Sequence, residues 1–142
     1  MDAEIKRMCE LVLRASPEDR VLGARKSLDV FVTGCKAEGI DDDAISNLII
    51  GIVRLFVSAD SSCHGAEFSF FKAVTGIEDI SEDQFYDMTN CGKDPDFVEL
   101  MVKGIKSFDI ETRSAAILFG VAFLTADLEL TDEELELIEK LF

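Results

Sequence analysis

The stretch Asp109-Ile110-Glu111-Thr112-Arg113-Ser114-Ala115-Ala116-Ile117-Leu118-Phe119-Gly120-Val121-Ala122-Phe123-Leu124-Thr125-Ala126-Asp127 decides the fold. From Ser114 to Ala126 it carries no charge, and it shows no alternation of period two. That apolar run falls well short of the roughly 20 residues a bilayer crossing takes. Asp109 offers an N-cap, so the stretch reads as a helix running through Ala126 and apolar on most of its faces. Such a helix belongs at the centre of a bundle, because a surface helix keeps one polar face.

A second stretch of this kind precedes it. Residues 42–60 place Ile45, Leu48, Ile49, Ile52, Val53 and Phe56 at helical spacing, with Asp41 or Asp42 as the cap. Shifting the chain by 67 residues lays Phe56-Val57-Ser58-Ala59-Asp60 on Phe123-Leu124-Thr125-Ala126-Asp127. The same shift lays Asp42 on Asp109, Glu67 on Glu134, Phe68 on Leu135, Phe70 on Leu137 and Phe71 on Ile138. Each unit, 42–76 and 109–142, is a helical hairpin whose first helix ends in Ala-Asp and whose second begins around a Glu seven residues on.

Outward from these two helices the chain reads as helix throughout. Asp2 to Ala15 carries Ile5, Met8, Cys9, Val12 and Leu13 on one face. Ser16-Pro17 caps and opens a helix to about Glu38, stopped by Gly39. A helix with Phe68, Phe70, Phe71 and Val74 ends at Gly76. Ser81-Glu82-Asp83-Gln84 and Thr131-Asp132-Glu133-Glu134 are capping boxes opening two more, and Asp94-Pro95 opens a helix with Phe97, Leu100, Met101 and Ile105. The expected fold is all-α: a single domain over 1–142, a compact bundle of about eight helices in two four-helix halves related by a pseudo-twofold axis, with 42–60 and 109–126 central.

Composition narrows the function. The 142 residues carry 29 acidic and 14 basic side chains, a formal charge of −15, and are 48% hydrophobic. A chain of that size and hydrophobicity can bury a core without disulfides or metal, which excludes intrinsic disorder. The negative charge repels phosphate backbones and anionic bilayers, which argues against nucleic acid and membrane as partners. The charge is uneven: residues 1–36 hold seven basic and six acidic side chains, whereas 37–142 hold seven basic and 23 acidic. A cation or a basic partner would find its field in the second region.

The N-terminus has no basic segment followed by an apolar run, so it does not read as a secretory signal, and a cytoplasmic location is the expectation. Cys9, Cys35, Cys63 and Cys91 share no CxxC spacing, which signals neither a zinc knuckle nor a redox pair; they read as small buried thiols.

Asp60 and Asp127 each stand where a helix ends, facing the negative end of its dipole, an unfavourable place by some tenths of a kcal/mol. Two accounts of the repeated acids remain open. In one they are local caps, with Asp60 and Asp127 accepting loop N–H groups and Glu134 partnering Thr131. In the other, Asp60, Glu67, Asp127 and Glu134 converge across the pseudo-twofold axis and are neutralised by a hard divalent cation, Ca²⁺ or Mg²⁺, for which carboxylate oxygens are the suited ligands.

Ala126-Asp127-Leu128-Glu129-Leu130-Thr131-Asp132-Glu133-Glu134-Leu135 and Ala59-Asp60-Ser61-Ser62-Cys63-His64-Gly65-Ala66-Glu67-Phe68 both follow Ala-Asp-x₆-Glu at the turn of a helical hairpin. This duplicated pattern in an acidic helical chain resembles the tellurite-resistance TerB family and its relatives. Ser61 and Leu128 stand where that family has Gly after the Asp. The resemblance implies an all-α fold, a cytoplasmic stress-associated role, a divalent-cation site at the four acids, and a binding or sensing module in place of a catalysed reaction.

Other chemistries fit less well. An EF-hand loop starting at Asp127 would place Asp132 at the glycine position and Ile138 at the bidentate glutamate. The chain contains no GxGxxG, Walker A, GxSxG or HExxH, and Ser61 stands where a di-iron Glu-x-x-His would need Glu before His64. Cys63 and His64 are adjacent and seldom face one point, so His64 reads as a loop histidine. A hydrolase using paired carboxylates is a third function, although one Tyr and no Trp leave little for a sugar platform. Phe68, Phe70 and Phe71 read as core, with one of the adjacent pair Phe70 and Phe71 free to face outward as a contact. The six acids between Glu129 and Glu139 read as a solvated face or, in a metal-free scaffold, as the dock for a basic protein partner.

Overall fold

The computed structural model describes residues 3–60, 65–77, 79–89, 94–125 and 131–141. Over these residues the chain is an all-α bundle of eight helices with no strand: α1 (Ala3–Arg14), α2 (Pro17–Ala37), α3 (Asp42–Asp60), α4 (Gly65–Thr75), α5 (Glu82–Thr89), α6 (Pro95–Ser107), α7 (Ile110–Leu124) and α8 (Asp132–Leu141).

The helix boundaries follow local chemistry. Ser16 Oγ accepts from the Asp19 N–H at 3.1 Å with Pro17 in the first turn, and Asp94 accepts from the Asp96 and Phe97 N–H groups. Ser81 and Gln84 form a reciprocal capping box: the Ser81 N–H donates to Gln84 Oε1 at 2.9 Å and the Gln84 N–H to Ser81 Oγ at 3.1 Å. Gly39 and Gly76, with φ of 83° and 72°, supply the left-handed residues after α2 and α4. Asp41, and not Asp42, caps α3, accepting from the Ala44 N–H at 2.8 Å. The repeat therefore slips by one residue at this end, because Asp109 itself caps α7 through the Thr112 N–H.

α7 is buried from Ala115 to Leu124 except at Leu118, which is half-buried, and α1, α2, α3, α4, α6 and α8 all pack on it. α3 enters the core with its second half, where Ile52, Val53, Leu55, Phe56 and Val57 are buried, while Asp42, Asp43, Ser46 and Asn47 of its first turns face solvent. The two cross at Gly120, where a β-carbon would overlap the ring of Phe56. Six fully buried phenylalanines, Phe31, Phe56, Phe71, Phe85, Phe119 and Phe123, fill the interior, each contributing roughly 1.5–3 kcal/mol relative to exposure.

Contacts between helices come in pairs related by exchanging the halves. α3 packs on α8 and α7 on α4; α2 packs on α4 and α6 on α8; α2 packs on α7 while α5 and α6 pack on α3. Under the 67-residue shift, α2 corresponds to α5 plus α6. Pro95 falls on Leu28 of α2, so a helix that runs unbroken in the first half is split in the second, where proline opens a new helix.

Phe70 and Phe71 lie in the core as the sequence suggests, Phe70 8% exposed and Phe71 fully buried, and the alternative that one of them faces outward is not met. α4 is wedged among α2, α5 and α7, so neighbouring positions on its surface all meet other helices. Phe71 stacks near Phe85, which lies between Phe68 and Phe123.

Candidate functional site

Of the four acids singled out by the repeat, Glu67 and Glu134 can be placed. Each lies in the first turn of the short helix that follows a long apolar one, Glu67 on α4 and Glu134 on α8. They are 1% and 2% exposed. Equivalent positions of the two halves thus bury a carboxylate to the same degree, which is uncommon for glutamate. Asp127 and the carboxylate of Asp60 lie outside the described residues, as do Cys63, His64 and Cys91.

The two glutamates differ in local setting. The Glu134 N–H donates to Thr131 Oγ1 at 3.2 Å, and the Thr131 hydroxyl donates to Glu134 Oε1 at 3.1 Å. This is the capping partnership read from Thr131-x-x-Glu134, with the hydroxyl in place of the backbone N–H as donor to the carboxylate. α4 opens at Gly65, and Glu67 has no Ser or Thr three residues before it, since His64 stands there. Among the described residues no group of three or more His, Cys, Asp or Glu is arranged to hold a metal ion. A cation at these helix starts would therefore draw on Asp60 and Asp127 as well.

The remaining acids of the run are split by the fold. Asp132, Glu133, Glu136 and Glu139 are exposed on α8, whereas Glu134, Leu137, Ile138 and Leu141 form its buried face. Asp109 stays ionised at lower pH than an ordinary aspartate, because the Thr112 side chain and then its N–H hydrogen-bond its carboxylate. Cys9 and Cys35 are buried, as expected, and burial pushes both thiols up.

Arg20 is a further buried charge, outside the four acids. It is 5% exposed, with Nη1 donating to the Thr125 carbonyl at 2.8 Å and Nη2 to the Ala15 carbonyl at 3.1 Å. One guanidinium thus satisfies carbonyls at the C-terminal ends of α1 and α7, the favourable end of each dipole for a cation. The signal that could have found it is its place in the first turns of α2, where a cation gains nothing from the helix that carries it. Through Thr125 it fixes the end of α7, immediately before Ala126 and Asp127.

No helix among the described residues is long and apolar enough to cross a membrane. No protein-family model matches the chain, and searches of curated proteins and of solved structures find no match either.

Proposed function

We propose that this chain is a non-catalytic helical module, similar to the TerB kind, that binds a divalent cation, Ca²⁺ or Mg²⁺, through Asp60, Glu67, Asp127 and Glu134. The observation that carries the reading is the matched burial of Glu67 and Glu134 at equivalent positions of the two halves. Two carboxylates held at equivalent positions of the repeat, each at the start of the short helix of its hairpin, supply oxygen ligands of the kind a hard divalent cation takes. The resemblance of both loops to the Ala-Asp-x₆-Glu pattern adds the cytoplasmic, stress-associated role of that family.

The test is thermal unfolding with Ca²⁺ or Mg²⁺ against NaCl at matched ionic strength. A site that binds only the folded chain gains about 2.7 kcal/mol at a hundredfold excess over Kd. The wild type is expected to show a divalent-specific rise in Tm, and Glu67→Gln/Glu134→Gln, which keeps volume and removes charge, is expected to lose it. A wild type with the same Tm in divalent and monovalent salt overturns the reading.

A second reading is favoured by the Thr131–Glu134 hydrogen bonds, which provide for Glu134 without an ion. In it the chain is a metal-free scaffold whose exposed acids on α8 dock a basic protein partner. It predicts no divalent-specific change in Tm and capture of a basic protein that fades as salt shortens the Debye length below about 10 Å.

A further inference from the structure

A groove of about 240 Å³ opens between α1, α2 and α7. Its walls are apolar: Leu11, Val12, Gly23, Ala24, Leu118 and Ala122. Leu11 is 61% exposed. Gly23 lies mid-helix, where glycine costs about 1 kcal/mol relative to alanine. A β-carbon there would meet no atom within 4 Å, so packing does not require the glycine, and its absent side chain leaves the groove open.

One buried cation completes the lining. Arg20 contributes to the groove, and its guanidinium, five donors in all, makes its two hydrogen bonds through Nη1 and Nη2. Its buried Nε has no hydrogen-bond partner. The charge surroundings agree, since apart from Leu118 and Ala122 the lining comes from residues 11–27, within the segment whose basic side chains outnumber its acids. The volume is below the roughly 300–1,000 Å³ of sites for drug-sized molecules, which points to a single thin chain.

We infer that this groove binds an aliphatic monocarboxylate of short to medium chain length. The alkyl chain lies along Leu11, Gly23, Ala24 and Leu118, and the carboxylate takes the guanidinium of Arg20 as its partner, aided by the positive end of the α2 dipole. Asp19, which is exposed, is the one carboxylate among the described lining residues and opposes the ligand's charge.

Octanoate titrated into the full chain, followed by amide chemical shifts and by Tm, is expected to bind saturably, with the largest shifts at residues 11–27. Octanol and acetate at the same concentrations are expected to bind at least about ten-fold more weakly, having lost the charge or the chain. Gly23→Leu sets its β-carbon in open space and its branches in the groove, and is expected to weaken octanoate about ten-fold or more while leaving the unliganded Tm unchanged or higher. Ser27→Leu, in the same lining, serves if Gly23→Leu does not fold, and Asp19→Asn is expected to tighten binding. No saturable octanoate binding to wild type, equal binding of octanol, or undiminished binding by the filled variant overturns the inference. Such a failure leaves the divalent-cation reading untouched, because neither Glu67 nor Glu134 lines this groove.

Discussion

Gly120 and Gly23 are both interior glycines of helices, and a helix propensity scale treats them alike. Their surroundings do not. At Gly120 a methyl group would overlap the ring of Phe56, which is fully buried and has nowhere to swing. Gly120→Ala is expected to destabilise by roughly 1–3 kcal/mol in urea unfolding. With Phe56→Leu added, the loss should be less than the sum of the two single losses, because the methyl takes space that the ring vacates. Gly23→Ala, with open space around it, should raise stability by about 1 kcal/mol. The buried thiols give a second prediction at this scale. Burial raises the pKa of Cys9 and Cys35 and shields them, so in the native protein iodoacetamide at neutral pH should leave both unmodified, and urea should expose both to labelling mapped by mass spectrometry. Burial of Cys9 and Cys35 was legible from residue type; the contrast between the two glycines was not, because it depends on which side chain the opposite helix presents.

Helix limits are written in short-range chemistry, and here they were largely readable. Ser16, Ser81, Asp94, Asp109 and Thr131 each act as the cap their position in sequence suggests, since a cap and the N–H it serves lie within three residues of each other. The cap on α7 can be tested by pH. The Asp109 carboxylate has a lowered folded pKa, so its contribution is fully present above the ordinary aspartate value of about 4 and disappears as pH falls through the lower folded value. The stability difference between wild type and Asp109→Asn, which can still cap but does not titrate, should therefore shrink on acidification below pH about 4; a difference that is flat from neutral pH to acid counts against the bond. Less legible was the fate of neighbouring residues within one helix. Phe70 and Phe71 are both buried because α4 has partners on several sides, a fact that periodicity along α4 does not contain. The correspondence of α2 with α5 plus α6 likewise emerged from which helices share α7 and α3 as partners, with Pro95 as its chemical cause.

For the molecule as a whole, a charge of −15 opposes compaction through self-repulsion. Raising NaCl from low ionic strength to about 0.15 M, where the Debye length is about 8 Å, should raise Tm whichever monovalent cation is used. A further rise confined to Ca²⁺ or Mg²⁺ at equal ionic strength separates a specific site from this general screening. Sequence by itself determined the helical class, the caps, the central place of the apolar helix α7 and the 67-residue repeat. All of these rest on residue type and spacing along one chain. Tertiary structure decided that Glu67 and Glu134 are equally buried, that Arg20 holds the ends of two helices, and that Gly23 borders an open groove while Gly120 meets a ring. The physical reason is that burial and long-range hydrogen bonding are properties of the partner surface. A carboxylate or a guanidinium far apart in sequence from its neighbours acquires its energy only when other helices remove water from around it.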